Sequence, residues 1–259
     1  MAIRLRSRRE IELMRRAGAV VADVLSKLQE MAVPGLTTAQ LDRTAAQMTA
    51  DADAKALFKG VRSVNTRIAF PGAVCTSINE QIVHGIPSEN VRLANGDILG
   101  IDFGAELDGY CADAAVTVAI GQISDDKRKL LAAAGQVLDI AINRAKPGVK
   151  WSRIAEEMQE YAQSAGFSVV EDFVGHGIGT KMHEEPRVPN FVSDELLADD
   201  ILLTEGIVIA VEPMINAGSR ATRTLEDEWT VVTKDGKCSA HFEHTIAITK
   251  DSCEVLTAK

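Results

Sequence analysis

The sequence predicts an α+β protein of two similar halves, each a pair of helices followed by strands that carry two carboxylates. One observation is a repeated helical grammar: Leu13-x3-Ala17-Gly18 in the first half matches Leu130-x3-Ala134-Gly135 in the second, and both segments run to a Pro-Gly stop. A second is a repeated strand ending, in which Leu93-x2-Gly96-x-Ile98-x2-Ile101-Asp102 overlays Leu203-x2-Gly206-x-Val208-x2-Val211-Glu212. The third is Ala112-Asp113 before a strand at 116–118, which resembles Phe242-Glu243 before one at 246–248. Matching aliphatics alone would be weak support, but acids recurring at the same places favour a duplication. The expected unit is one domain over 1–259, with a pseudo-repeat of about 7–121 and 125–250.

The elements follow in order. Ser7-Arg8-Arg9-Glu10 has the form of a capping box, and Ile11, Met14, Ala17, Val21, Val24 and Leu28 recur at helical spacing, so a first helix should cover about 7–31. Pro34-Gly35 stops it, and Thr37 with Gln40 caps a second helix through Leu41, Ala45 and Met48. A third helix starts near Asp125 and stops near Pro147-Gly148, and Ser152 is expected to cap a fourth that reaches Ala165. Between the helix pairs, Asp108-Gly109 suits a two-residue turn with positive φ at both positions, predicting a hairpin from 98–107 into 110–118.

Composition removes several function classes. Lys+Arg 28 against Asp+Glu 37 gives a net charge of −9, which repels phosphate backbones and anionic membrane surfaces, so nucleic-acid binding is not expected. No apolar run approaches the roughly 20 residues needed to cross a bilayer. Cys75, Cys111, Cys238 and Cys253 show no close spacing, and the arginine-rich start lacks the apolar core of a secretory signal. A reduced, cytosolic protein is the expectation.

The chemistry lies in acids and imidazoles. With Asp108 and Gly109 as the turn, Asp102 pairs with Ala115 and Asp113 with Gly104, so the two aspartates share one face with β-carbons about 7 Å apart. Acids that end the apolar runs before Asp102 and Glu212 read as buried groups in need of a cation, whereas Asp108 reads as a solvated turn residue. Val174-Gly175-His176-Gly177-Ile178-Gly179 surrounds an imidazole with glycines, as a ligand position would, and it lacks the lysine and spacing of a phosphate loop. His84 and His183 lie beside turn residues and fit a site role or a structural one equally, while His241 and His244 are assigned supporting roles beside Glu243. Four carboxylates and one imidazole suit two divalent first-row ions such as Co²⁺, Mn²⁺, Fe²⁺ or Zn²⁺, and the absence of cysteine argues against a structural zinc. Paired ions of this kind activate water for hydrolysis.

These motifs resemble the type I methionine aminopeptidases: Val83-His84-Gly85-Ile86-Pro87, Gly100-Ile101-Asp102, Ala112-Asp113, Gly175-His176-Gly177-Ile178-Gly179, His183-Glu184-Glu185-Pro186, Val211-Glu212-Pro213-Met214 and Phe242-Glu243-His244-Thr245. The resemblance spans nearly the whole chain. It implies the pita-bread (creatinase/aminopeptidase) fold, two pseudo-symmetric αβ halves with an antiparallel sheet and a dinuclear metal site between them. It implies that Asp102, Asp113, His176, Glu212 and Glu243 hold two divalent ions, that Glu212 shuttles a proton, and that His84 and His183 contact the substrate. It further implies a monomeric cytoplasmic enzyme that removes the initiator methionine of nascent polypeptides when the second residue is small. A transient ribosome contact through the basic stretch 4–16 is an added expectation.

Two rivals remain: an X-Pro peptidase of the same fold, and a non-catalytic binding module on it. X-Pro relatives usually carry an extra N-terminal domain, creatinase-like relatives lack the full metal set, and too few positions separate His176 from Glu212 for the helical insertion of type II enzymes. Arg67-Ile68-Ala69-Phe70 carries one aromatic where relatives often have two tyrosines, and Pro189-Asn190-Phe191 replaces a more usual Pro-His-Tyr. By resemblance, Phe70, Cys75, Met182 and Trp229 surround the methionine side chain, with ordinary core as the alternative.

Overall fold

The computed structural model describes residues 3–62 and 66–259. The first half contains α1 (Arg8–Met31), α2 (Thr38–Asp51), β1 (Lys55–Ala56), β2 (Cys75–Ile78), β3 (Gln81–Val83), β4 (Ile98–Leu107) and β5 (Tyr110–Ala119). The second contains α3 (Asp125–Arg144), α4 (Trp151–Ser164), β6 (Ser168–Val169), β7 (Gly175–Gly177), β8 (Glu184–Val188), α5 (Asp194–Ala198), β9 (Val208–Val211), β10 (Met214–Asn216), β11 (Thr222–Thr224), β12 (Val231–Thr233), β13 (Ser239–His241), β14 (Glu243–Ile248) and β15 (Cys253–Val255).

Capping residues set the helix starts. The Ser7 hydroxyl accepts from the Glu10 N–H at 3.3 Å, and the Glu10 carboxylate accepts from the Ser7 N–H at 2.8 Å, closing the box that begins α1. Gln40 accepts from the Thr37 N–H at 2.9 Å at the start of α2, and the Ser124 hydroxyl accepts from the Lys127 N–H at 3.3 Å at the start of α3. The expectation for α4 is corrected. Its N-cap is Lys150, and Ser152 lies inside the first turn, where its N–H and hydroxyl donate to Asp200 at 3.1 and 2.7 Å. A distant carboxylate therefore satisfies an open N–H of α4, and it also sits where the helix dipole favours an anion.

The β4–β5 hairpin has the register read from the sequence, with Asp102 opposite Ala115 and Gly104 opposite Asp113. Asp108 and Gly109 adopt φ of 51° and 78°, as a type I′ turn requires. The main sheet runs β1-β4-β5-β14-β9-β7-β8, with β2 also paired to β4 and β15 to β14. Its central join is β5 with β14, where Glu243 pairs with Ala115, and β14 in turn meets β9 with His244 opposite Val211. Two three-stranded sheets, β13-β10-β6 and β11-β12-β3, complete the strand set.

The strand period of two then sorts side chains. Leu99, Ile101, Phe103, Ala112 and Ala114 share a core with Ala17, Val21, Leu28 and Leu41 of α1 and α2. Ile209, Val211, Ile246 and Ile248 share another with Leu130, Val137, Ile154 and Met158 of α3 and α4. Both helix pairs thus claim one face of each strand, leaving Asp102, Asp113 and Glu243 directed to the other. Ile101, Phe103, Ala112 and Ala114, the chain neighbours of the two aspartates, belong to the helix face. Among the described residues, no helix is long and apolar enough to cross a membrane.

Candidate active site

A cavity of about 510 Å³ opens on the sheet face away from the helices. Its lining includes all eleven side chains singled out from the sequence: Phe70, Cys75, His84, Asp102, Asp113, His176, Met182, His183, Glu212, Trp229 and Glu243.

Asp102 and Asp113 come from β4 and β5, Glu243 opens β14, and Glu212 follows the last residue of β9. The Asp113 backbone is pinned to β14 by a side chain: the Asp113 N–H donates to the Thr245 hydroxyl at 3.0 Å, and that hydroxyl donates back to the Asp113 carbonyl at 2.8 Å. His176 lies on β7, and the glycines beside it have a physical reason. A Cβ at Gly175 would stand 2.3 Å from the Ala210 carbonyl oxygen, and one at Gly177 would stand 2.1 Å from that of Glu185. Only bare backbone lets the imidazole strand approach β9 and the 185–186 segment this closely.

One ligand atom each from Asp113, His176 and Glu243 fall within 4.8 Å of one another, and His176 Nε2 stands 3.5 Å from Glu212 Oε1. Burial raises the Asp102 carboxyl to about 7. Burial first, and then neighbouring carboxylates, hold Asp113, Glu212 and Glu243 well above the ordinary range. Desolvation lowers His84 and His176 to about 4 and His241 to about 3, and it lowers His183 as well. Buried like charges without a counter-charge are unfavourable, so the cluster is built for cations. Asp102 Oδ1, Asp113 Oδ1 and Glu243 Oε1 are buried without a hydrogen-bond partner, free to coordinate.

Beside the acids, Phe58, Phe70, Cys75 and Trp229 form an apolar chamber joined by Val61, Ile86 and Met182. Phe70 and Trp229 meet edge to face at 5.3 Å, and Trp229 Nε1 donates to the Ile68 carbonyl at 3.0 Å. His84 holds φ of 60°, uncommon for a side chain with a Cβ, and its ring lies 5.7 Å from Phe173 and 6.2 Å from Trp229. The His183 ring centroid is 4.4 Å from that of His176. Arg67, one departure from the expected pattern, is turned away and ion-paired to Glu228 at 2.5 Å. Asn190, the other, is buried and donates to the Glu212 carbonyl at 3.2 Å.

His241 belongs with the cavity more closely than the sequence reading allowed. Its Nε2 stands 3.9 Å from Glu212 and 4.0 Å from Glu243, and it has no hydrogen-bond partner. A spacing of two before Glu243 would place both on one face of a continuous strand, but the chain breaks at Phe242, so His241 ends β13 and Glu243 opens β14. His244, on the opposite face, instead bonds the Thr257 hydroxyl at 2.8 Å. Phe58, Phe173, Arg62 and Arg187 also line the cavity and carried no motif.

The model of metallopeptidase family M24 matches residues 12–250. Methionine aminopeptidase 1 of Bacillus subtilis is 44% identical over 249 residues, covering 96% of each chain. The chain belongs to the methionine aminopeptidases of family M24. The methionine aminopeptidase of Aquifex aeolicus is 43% identical over 99% of both chains. The crystal structure of methionine aminopeptidase from Thermotoga maritima superposes with a TM-score of 0.93 at 36% identity, covering 100% of both chains, so the fold is pita-bread. Membership in an M24 metallopeptidase family implies divalent metal, and the buried acids with orphaned oxygens fit such ions.

Proposed function

We propose that this chain is a metallo-aminopeptidase that removes N-terminal methionine from polypeptides whose second residue is small. One observation carries the reading: the acid cluster around His176 shares its cavity with the chamber of Phe70, Cys75, Met182 and Trp229. Asp102, Asp113, His176, Glu212 and Glu243 are the residues proposed to hold two divalent ions. When bound, such ions polarise a carbonyl and lower the pKa of water.

The protein's own groups supply the rest. The aromatic and sulfur-bearing chamber matches a flexible, polarizable thioether. His84 and His183, kept neutral by desolvation, each present one N–H donor to the scissile peptide. Glu212 takes the proton released by the attacking water and returns it to the departing amine. The intended substrate is the initiator methionine of nascent polypeptides, met in the cytoplasm by a monomer, with the exposed arginines of residues 4–16, Arg4, Arg8, Arg9 and Arg16, as the proposed ribosome-facing stretch.

The test is hydrolysis of Met-Ala-Ser, Met-Leu-Ser and an Xaa-Pro peptide by metal-stripped protein refilled with single divalent ions. Cleavage of Met-Ala-Ser alone, dependent on the added ion, is the expected result. Equal turnover of Met-Ala-Ser and Met-Leu-Ser would remove the steric rule, and preference for Xaa-Pro would replace the function.

A further inference from the structure

The third glycine of Gly175-His176-Gly177-Ile178-Gly179 has no part in the site as described, and it leads to a residue outside the cavity. A Cβ on Gly179 would lie 1.8 Å from Nη2 of Arg6. That guanidinium belongs to the arm before α1, yet its side chain is 1% exposed. The arm is pinned by its backbone, with the Arg6 N–H donating to the Gly206 carbonyl at 2.7 Å. Beyond Gly179, Arg6 Nη2 donates to Oε2 of Glu184, while Nη1 stands 3.7 Å from Glu10.

Glu184 directly follows His183. Its other oxygen, Oε1, accepts from the backbone N–H groups of Thr180 at 2.9 Å and Lys181 at 3.1 Å, folding the carboxylate back under the turn that carries His183 into the cavity. Among the described residues, no side chain hydrogen-bonds the His183 ring, whose neighbour is the edge of His176. The direction of His183 is therefore set by its backbone turn, and that turn is set by a carboxylate held between two N–H groups and one buried guanidinium.

We propose that Arg6 is a positioning residue for His183, acting through Glu184. The inference rests on reading His183 as a donor to the substrate. Loss of the guanidinium leaves the Glu184 charge half-buried and unpaired, so the carboxylate swings toward water and releases the Thr180 and Lys181 amides. Misplacing a donor by about 1 Å lowers turnover by up to roughly 10²-fold.

A double-mutant cycle separates this role from simple anchoring of the arm. Wild type, Arg6→Ala, His183→Ala and the double variant are compared for kcat, KM and bound metal on Met-Ala-Ser. Arg6→Ala should lower kcat by about ten- to a hundredfold with KM and metal content unchanged. Arg6→Lys should recover part of the loss, and in the His183→Ala background Arg6→Ala should cost nothing further. Glu184→Ala, which frees the same two amides, should give the same pattern, so the cycle stays readable if Arg6→Ala fails to fold. Equal losses in both backgrounds, or a loss that follows metal content, would overturn the proposal while leaving His183 in its role. A His183→Ala variant with unchanged kcat would remove the role of His183 itself, and the proposal with it.

Discussion

His176 and His183 stand with ring centroids 4.4 Å apart, yet they should fail differently when truncated. His176 Nε2 points among the carboxylates, so His176→Ala should weaken metal binding together with activity. In the proposed mechanism His183 donates to the reacting peptide, and losing one such donor lowers kcat by about 10²–10³-fold, or roughly 3–4 kcal/mol. Metal content should survive in His183→Ala. Calorimetric metal titration beside kcat decides the matter, and loss of metal by His183→Ala with retention by His176→Ala would exchange the two roles. The chamber makes a smaller demand. Phe70→Leu keeps apolar volume but removes the ring edge, so KM for Met-Ala-Ser should rise about two- to tenfold at constant metal content, the scale of a sulfur–aromatic contact. An unchanged KM would place the thioether elsewhere. At this scale Asp102 and Glu212 were legible because each ends an apolar run, a position where a solvated carboxylate is out of place, while Asp113 was legible from the hairpin register and Glu243 from the repeat. Phe58, Phe173 and Arg187 were not, since isolated residues on separate elements leave no local pattern to read.

Elements were legible wherever the signal was local. The box of Ser7 and Glu10, the Thr37–Gln40 pair and the Asp108-Gly109 turn each place donor and acceptor within a few residues, and each determines a boundary or a register. The start of α4 was misread for the complementary reason. Ser152 has the right side chain for a cap, but its hydroxyl and N–H are taken by Asp200, which the chain supplies from a loop after α5. A cap provided across space has no sequence spacing. It does have an energetic consequence: Asp200→Ala should destabilise the protein by about 1 kcal/mol, the usual cost of losing a helix cap, and leave kcat unchanged. Denaturant midpoints of the variant and wild type measure it, and an unshifted midpoint would mean that water serves α4 as well as the carboxylate does.

The whole molecule joins its halves through β5 and β14, and no pairwise motif foretold that seam, because strand partners far apart in sequence are chosen by which faces the helices have already covered. The seam brings four carboxylates together, and their raised proton affinity makes metal-free stability depend on pH. Asp102 is raised from 3.8 to about 7, and Asp113, Glu212 and Glu243 are raised well above their ordinary values. The native metal-free state thus binds more protons than the unfolded chain, and this contribution to stability is lost as pH rises through about 7. The buried histidines act in the opposite sense. His84 and His176 fall from 6.5 to about 4, so they remove stability only as pH drops below 6.5, where the unfolded chain takes up protons. Above pH 6.5 the carboxylates act alone, and the melting temperature of chelator-treated protein should fall between pH 6.5 and pH 8. The slope per released proton is at most about 1.4 kcal/mol per pH unit, and each kcal/mol moves the midpoint by about 2–4 °C in a chain of this size. Mn²⁺ or Co²⁺ should abolish or reverse the trend, because ions compete with protons for the same oxygens and stabilise the native state in proportion to their occupancy. Calorimetric scans at pH 6.5 and 8, with chelator and with metal, provide the comparison. A metal-free midpoint that climbs over that range would mean that the four carboxylates are ionised and otherwise compensated, and that the cavity does not depend on cations for its charge.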